Sequence, residues 1–206
     1  IVVILANVFD QNVTALAAGL GVGGVAVALA SKESLENLLG SFTIFLDKPF
    51  QVGDIITIGN ITGKVEKVGF RSTRVRTFDK SVVTVPNKNL VIAELDNLGV
   101  RPVRRVKINI GLTYSTTVNQ IKEIVNDIQK LIDDHEQTNQ DGKVRFLNFG
   151  ASSLDVMVLY YVNSPDWDVL VDTQQEINFK IIEIVNKHGS DFAFPTTSVY
   201  LENQNK

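Results

Sequence analysis

Four features of the 206-residue sequence are of a kind that does chemistry. Asp166, Asp168 and Asp172 place three carboxylates close together, as a divalent cation would require. The spacing has neither the central glycine nor the terminal glutamate of a calcium loop, and acids gathered before an apolar helical pattern suit the positive end of a helix dipole. Gly19-Leu20-Gly21-Val22-Gly23-Gly24 fits the G-x-G-x-x-G fingerprint, with Asp47 downstream as a ribose-binding acid would be. That fingerprint needs a strand ending at its first glycine. Here the polar turn Asp10-Gln11-Asn12 breaks the chain well before it, and no further βαβ units follow. His135 and His188 are the two histidines, each isolated among polar neighbours, and there is no cysteine. Thiol catalysis, disulfides and cysteine-bound metal are thereby excluded, and a zinc enzyme is not expected. The fourth feature is a basic run: Lys64, Lys67, Arg71, Arg74, Arg76, Arg101, Arg104, Arg105 and Lys107. No nucleophile–base–acid set and no phosphate-binding loop occurs, so neither an enzyme nor a cofactor or metal site is expected.

Charge is distributed unevenly around these residues. Residues 1–59 hold two bases against five acids, 60–107 eleven against four, and 108–206 seven against fourteen. Before Lys32 the only charged residue is Asp10, so the first thirty residues are as apolar as a membrane segment. The sequence begins with Ile, has no basic leader, and reads as part of a longer protein with membrane helices upstream. Residues 1–12 are expected to be the end of such a helix and its turn, and 13–48 a membrane helix followed by an interfacial one.

At about 100° per residue, Val22, Val25 and Leu29 share one helix face with Ala18 and Gly21 above and Lys32 below. The flanks are small: Ala17, Gly24 and Ala28 on one side, Ala15, Gly19 and Ala26 on the other. Small faces let helix backbones approach closely in lipid. One such face makes a pair; two on opposite flanks make a ring. The ring would point aliphatic side chains at its axis, as a hydrophobic constriction that gates by dewetting. From Thr14 to Ser31 the helix would be about 27 Å long, close to a hydrocarbon thickness. The same Gly/Ala-rich pattern is also compatible with a helix buried in a soluble core.

A second helix follows Lys32-Glu33, with Leu35, Leu38, Leu39, Phe42 and Leu46 at helical spacing among polar residues, and ends at Asp47-Lys48-Pro49. From Phe50 the period changes to two. Asp54–Ile58, Gly63–Val68, Arg71–Phe78 and Ser81–Val85 read as strands joined by turns at Gly59-Asn60 and Asp79-Lys80. This predicts a small all-β, Sm/OB-like domain over 49–100. The basic run lies here with only Phe70 and Phe78 between Lys64 and Lys107, too few aromatics for base stacking. Proximity to anionic headgroups or pairing between subunits accounts for it better, a solvated strand face comes second, and nucleic acid is not expected.

Pro49-Phe50-x-x-Gly53-Asp54, then Gly63-x-Val65-x-x-Val68-Gly69-x-Arg71-Ser72-Thr73-x-x-Arg76-Thr77, then Val85-Pro86-Asn87-x-x-Leu90, after a Gly/Ala-rich helix, resembles the small-conductance mechanosensitive channel (MscS) family. The resemblance runs from about Val13 to Leu201. It implies a homo-oligomer, a heptamer in that family, with the Gly/Ala helix lining the pore and the amphipathic helix beneath the membrane. It also implies a cytoplasmic cage of β and α/β domains, and carries the seal to Val25 and Leu29. Two positions depart from the familiar pattern: Val25 stands where Leu is common, and Glu33 where the hinge is often Gly, leaving Gly40 as an alternative bend site. Lys32 would form a cationic ring at the cytoplasmic mouth unless Glu33 or Glu36 neutralises it.

Beyond residue 101 the patterns read as strand Arg105–Gly111, helix Thr117–Asp133, strands Val144–Phe149 and Leu154–Val162, helix Val169–His188 and a strand near Val199–Leu201. That order predicts a ferredoxin-like α+β domain over 101–195, with 196–206 a terminal strand and tail. The expected function is a multi-pass membrane channel, placed in a bacterial inner membrane with its C-terminal domains cytoplasmic. Opened by tension, it would release ions and small solutes on hypo-osmotic shock, with membrane lipids as its surroundings. A non-conducting membrane-anchored scaffold or ligand-sensing oligomer is the alternative.

Overall fold

The structure, a computed structural model, describes residues 13–197. The Asp10-Gln11-Asn12 turn, the helix end expected over 1–12 and the strand near Val199–Leu201 lie outside the described residues. The chain divides into two units at Val100 and Arg101.

In the N-terminal unit, α1 runs without interruption over Val13–Asp47, 35 residues. The two helices expected to meet at Lys32-Glu33 are therefore one. Lysine and glutamate are good helix formers, no proline intervenes, and Lys32 Nζ lies 3.8 Å from Glu36 Oε1 one turn on, an i,i+4 pair across the expected break. The helix stops where expected. Lys48 takes φ 47°, the left-handed conformation of a helix cap, and its N–H reaches Ile44 O at 3.0 Å before Pro49 leads away.

The strands β1 (Ile55–Ile58), β2 (Ile61–Val68), β3 (Ser72–Thr77), β4 (Val82–Pro86) and β5 (Leu95–Asn97) form one antiparallel sheet in the order β4-β3-β2-β1-β5. Alternation puts Ile56, Val65, Val75 and Val85 inside, with Phe50, Leu90 and Ile44 of α1 closing the core. Both expected turns are present, with Gly59 (φ 53°) and Lys80 (φ 68°) supplying the left-handed residue. Helix α2 (Asn87–Ile92) and strand β5 had no sequence forecast, because six and three residues are too short to show a period.

The C-terminal unit holds β6 (Arg104–Leu112), α3 (Val118–Asp134), β7 (Lys143–Phe149), β8 (Leu154–Val162) and α4 (Trp167–Lys187). Its sheet is ordered β6-β8-β7, with β8 antiparallel to both neighbours, as in a split βαβ arrangement. Every second residue of β8 is buried, and this row meets Ile124, Ile128 and Ile132 of α3 and Ile177, Ile181 and Val185 of α4. Helix α3 starts with a capping box, Thr117 and Gln120 each accepting from the other's backbone. Helix α4 ends at Gly189, φ 65°, as a helix stop should. Val118, in the first turn of α3, is exposed.

Tyr160 is fully buried, and its hydroxyl has no hydrogen-bond partner among the described residues. Burial alone pushes its pKa up to about 12. An unmet buried hydroxyl costs roughly 1–3 kcal/mol, so Tyr160→Phe is expected to raise unfolding stability by about 1 kcal/mol in urea titration. A loss of similar size would show that the hydroxyl is satisfied.

Candidate functional site

From Ala17 to Ala30 α1 carries no charged residue, a stretch of about 21 Å at 1.5 Å per residue. Among the described residues no helix is long and apolar enough to cross a membrane. Val22, Val25 and Leu29, the expected inward face, are exposed by 75%, 60% and 68%, and Leu20 and Val27 opposite them are equally bare. A Cβ placed on Gly19, Gly21, Gly23 or Gly24 would meet nothing within 4 Å. Ala18, Ala26 and Ala28 are exposed as well. This half of α1 is thus not buried in the core of its own chain, and a helix apolar on all sides needs lipid or other copies around it. The dinucleotide reading also ends here, since Gly19–Gly24 lies inside a helix rather than at a strand-to-helix turn.

The lower half of α1 is held by α2. Gly40 packs on the α2 backbone: a Cβ there would lie 2.9 Å from Asn87 C and 3.0 Å from Lys88 N. The helix runs without interruption through both Glu33 and Gly40. Asn37, 2% exposed, donates to Glu33 O and accepts the Lys88 N–H at 3.2 Å. Asn87, fully buried, accepts from Thr73 Oγ1 at 2.9 Å and donates to Gly69 O at 2.8 Å, tying α2 to the β2–β3 connection. Lys88 Nζ sits 3.1 Å from Glu33 Oε1 and 3.6 Å from Glu36 Oε2. The hydrogen bond to Glu33, then the attraction of both carboxylates against desolvation, moves the Lys88 ammonium above its ordinary pKa. Glu36 is therefore shared between Lys88 and Lys32, and the Lys32 side chain stays two-thirds exposed.

Sequence reasoning named Glu33 and Gly40 but missed what faces them. Asn37 lies on the side of α1 opposite Leu35, Leu38 and Leu39, among polar positions that carry no local cue to burial, and Asn87 and Lys88 belong to a helix too short to forecast.

Near the end of α1 an apolar cleft of about 750 Å³ is lined by Phe42, Phe45, Phe50, Val52, Val68 and Phe70, together with Lys48 and Lys67. Lys64, Lys67, Arg71 and Arg74 all point outward from β2, β3 and the link between them. Register sets Lys64 opposite Arg76 and Lys67 opposite Arg74. Glu66, at the bulge between, pairs with Arg76, and this hydrogen bond holds its carboxyl below the ordinary value.

In the C-terminal unit the titratable clusters are structural. His188 Nδ1 and Nε2 lie 3.2 Å from Glu123 and 2.9 Å from Asp127, and His135 Nε2 lies 3.4 Å from Glu176, so each histidine links α3 with α4. The His188 contact, followed by that of Lys187, keeps Asp127 below its usual pKa. Asp166 caps α4 by accepting the Asp168 N–H at 2.7 Å. Among the described residues no three His, Cys, Asp or Glu are grouped to hold a metal.

Comparison with known proteins places these features. The family model "Mechanosensitive ion channel, beta-domain" matches residues 33–99, and "Mechanosensitive ion channel MscS, C-terminal" matches 106–192. An uncharacterized MscS family protein of Aquifex aeolicus is 43% identical over 197 residues, covering 95% of this chain and 54% of that protein. The small-conductance mechanosensitive channel MscMJ of Methanocaldococcus jannaschii is 42% identical over 194 residues, covering 94% and 55%. The chain thus spans about half the length of the curated relatives it matches. Arabidopsis thaliana MSL1, solved by cryo-EM, superposes with TM-score 0.82 at 25% identity, covering 93% of this chain and 69% of that one. Helicobacter pylori MscS in its closed state superposes with TM-score 0.80 over 98% and 79%; at 24% identity that likeness concerns the fold.

Proposed function

Because the chain belongs to the MscS family of mechanosensitive ion channels, we propose that it is the pore and cytoplasmic part of a channel opened by membrane tension, releasing ions and small solutes on hypo-osmotic shock. The observation that carries this reading is the upper half of α1, apolar on every side and unpacked within its own chain. In the proposed assembly, a heptamer, Gly19, Gly24, Ala26 and Ala28 form the contacts between neighbouring helices. Ala18, Gly21, Val22 and Lys32 line the pore, and Val25 and Leu29 form its seal. In this reading the upper half of α1 stands in the membrane, here taken to be a bacterial inner membrane in a multi-pass protein with cytoplasmic C-terminal units. Tilt and separation of the helices widen the ring until it wets.

The test is patch-clamp of the full-length protein in liposomes under graded suction. Tension-gated current supports the channel. Silence from protein shown to be inserted and oligomeric supports the non-conducting scaffold or ligand-sensing oligomer instead.

Lys32 stands one turn below Leu29, and its nearest carboxylate, 3.8 Å away, is shared with Lys88. A ring of incompletely neutralised lysines favours anions in the mouth. Lys32→Gln is expected to move the reversal potential in a KCl gradient toward cation selectivity. An unmoved potential would mark Lys32 as an interfacial lysine that keeps its charge in the headgroups.

A further inference from the structure

Lys88 projects from α2 of the β unit, whereas Glu33 and Glu36 belong to α1, one turn apart on the same helix face. The ammonium meets both carboxylates at 3.1 and 3.6 Å, directly above the Asn37 to Lys88 backbone bond and the Gly40 contact. Four points spaced over two turns of α1 thus land on Asn87 and Lys88. Two of them, at Asn37 and Gly40, are short-range and buried. The other two are charge pairs between groups that are 27%, 42% and 72% exposed, where mobile ions reach them.

We propose that Lys88, with Glu33 and Glu36, is a charge latch that fastens α1 to the β unit and opposes opening, and that ionic strength weakens it. Tilting α1 away from α2 separates the ammonium from both carboxylates, so opening must break the latch in every subunit. Screening lowers what is lost when the pairs part. The latch therefore tightens as ionic strength falls, which during solute efflux on hypo-osmotic shock closes the channel again. Lys88 acts as a positioning residue: it touches the helix and not the permeating ion. This inference rests on the channel reading above.

The experiment is patch-clamp of the full-length protein in liposomes of one composition, with the cytoplasmic face bathed in low or high KCl at constant osmolarity. Opening tension is referred to a salt-insensitive reference channel in the same patch. The wild type is expected to open at lower tension in high salt. Lys88→Met, which keeps the aliphatic stem, is expected to open at lower tension in low salt and to lose the salt dependence, its open-to-closed ratio rising about two- to fivefold per subunit. Lys88→Glu should open more easily still, and adding Glu33→Lys should restore both the tension and its salt dependence. A wild-type threshold indifferent to salt overturns the latch and leaves the channel standing, as does Lys88→Met with wild-type behaviour. Absence of current from every form at any tension overturns the channel reading and the latch with it.

Discussion

Leu29→Ser opens at a fraction of the wild-type tension, and in cells slows growth through leak. In the proposed ring each copy contributes one Leu29 side chain to the axis, on the face that also carries Val22 and Val25. Aliphatic rings hold a constriction dry because water there forfeits its hydrogen bonds. A leucine side chain represents about 1.5–3 kcal/mol of apolar transfer, and a serine hydroxyl replaces it with a group that water solvates. Summed over a ring, the substitution removes most of the barrier to wetting at Leu29 and leaves Val25 alone above it. Patch-clamp of wild type and variant under the same suction ramp measures the ratio of opening tensions. Equal thresholds would remove Leu29 from the seal. A non-conducting scaffold predicts no current from either form and no growth defect.

Gly40→Ala loosens α1 from the β unit. Inside a helix, alanine is favoured over glycine by about 1 kcal/mol, so a glycine serving only as a bend site would be stiffened and stabilised by the change. The structure gives the opposite sign. An added Cβ would lie 2.9 to 3.1 Å from Asn87 C, Lys88 N and Asn87 O, all backbone atoms that no rotamer change can move. Overpacking of this kind costs about 1–3 kcal/mol, more than the helix gains. Relief comes by shifting α1 outward, which lengthens the buried Asn37–Lys88 bond and draws Glu33 and Glu36 away from Lys88. The expected result is a lower melting temperature, with faster amide exchange confined to Asn87–Ile92 and the facing turns of α1. Raised stability with unchanged exchange would return Gly40 to the role of a bend site.

These two substitutions also mark where sequence reasoning succeeds and where it stops. The face containing Leu29 follows from 3.6-residue periodicity, and β8 was forecast with its bounds, Leu154–Val162, because alternation over nine residues leaves one register that buries its apolar side. The stop of α1 at Asp47 was equally legible in Asp47-Lys48-Pro49, since proline constrains the residue before it. The supposed break at Lys32-Glu33 was not real. It was inferred from a change of character, from apolar to amphipathic, and helices change partners along their length without changing their hydrogen bonding.

The sequence by itself determined the period-two and period-3.6 elements, the apolar helix with its small flanks, the basic middle and acidic end of the chain, and the family. Each of these is a property of neighbours along the chain, where spacing translates directly into a face, a turn or a cap. Only the tertiary structure decided that α1 is a single helix, that Gly40 is there for close approach, and that Asn37, Asn87 and Lys88 make the joint. Asn37 and Lys88 stand 51 residues apart. A contact of that separation depends on where the sheet returns the chain, and no local pattern records which amide will meet which carbonyl once it does.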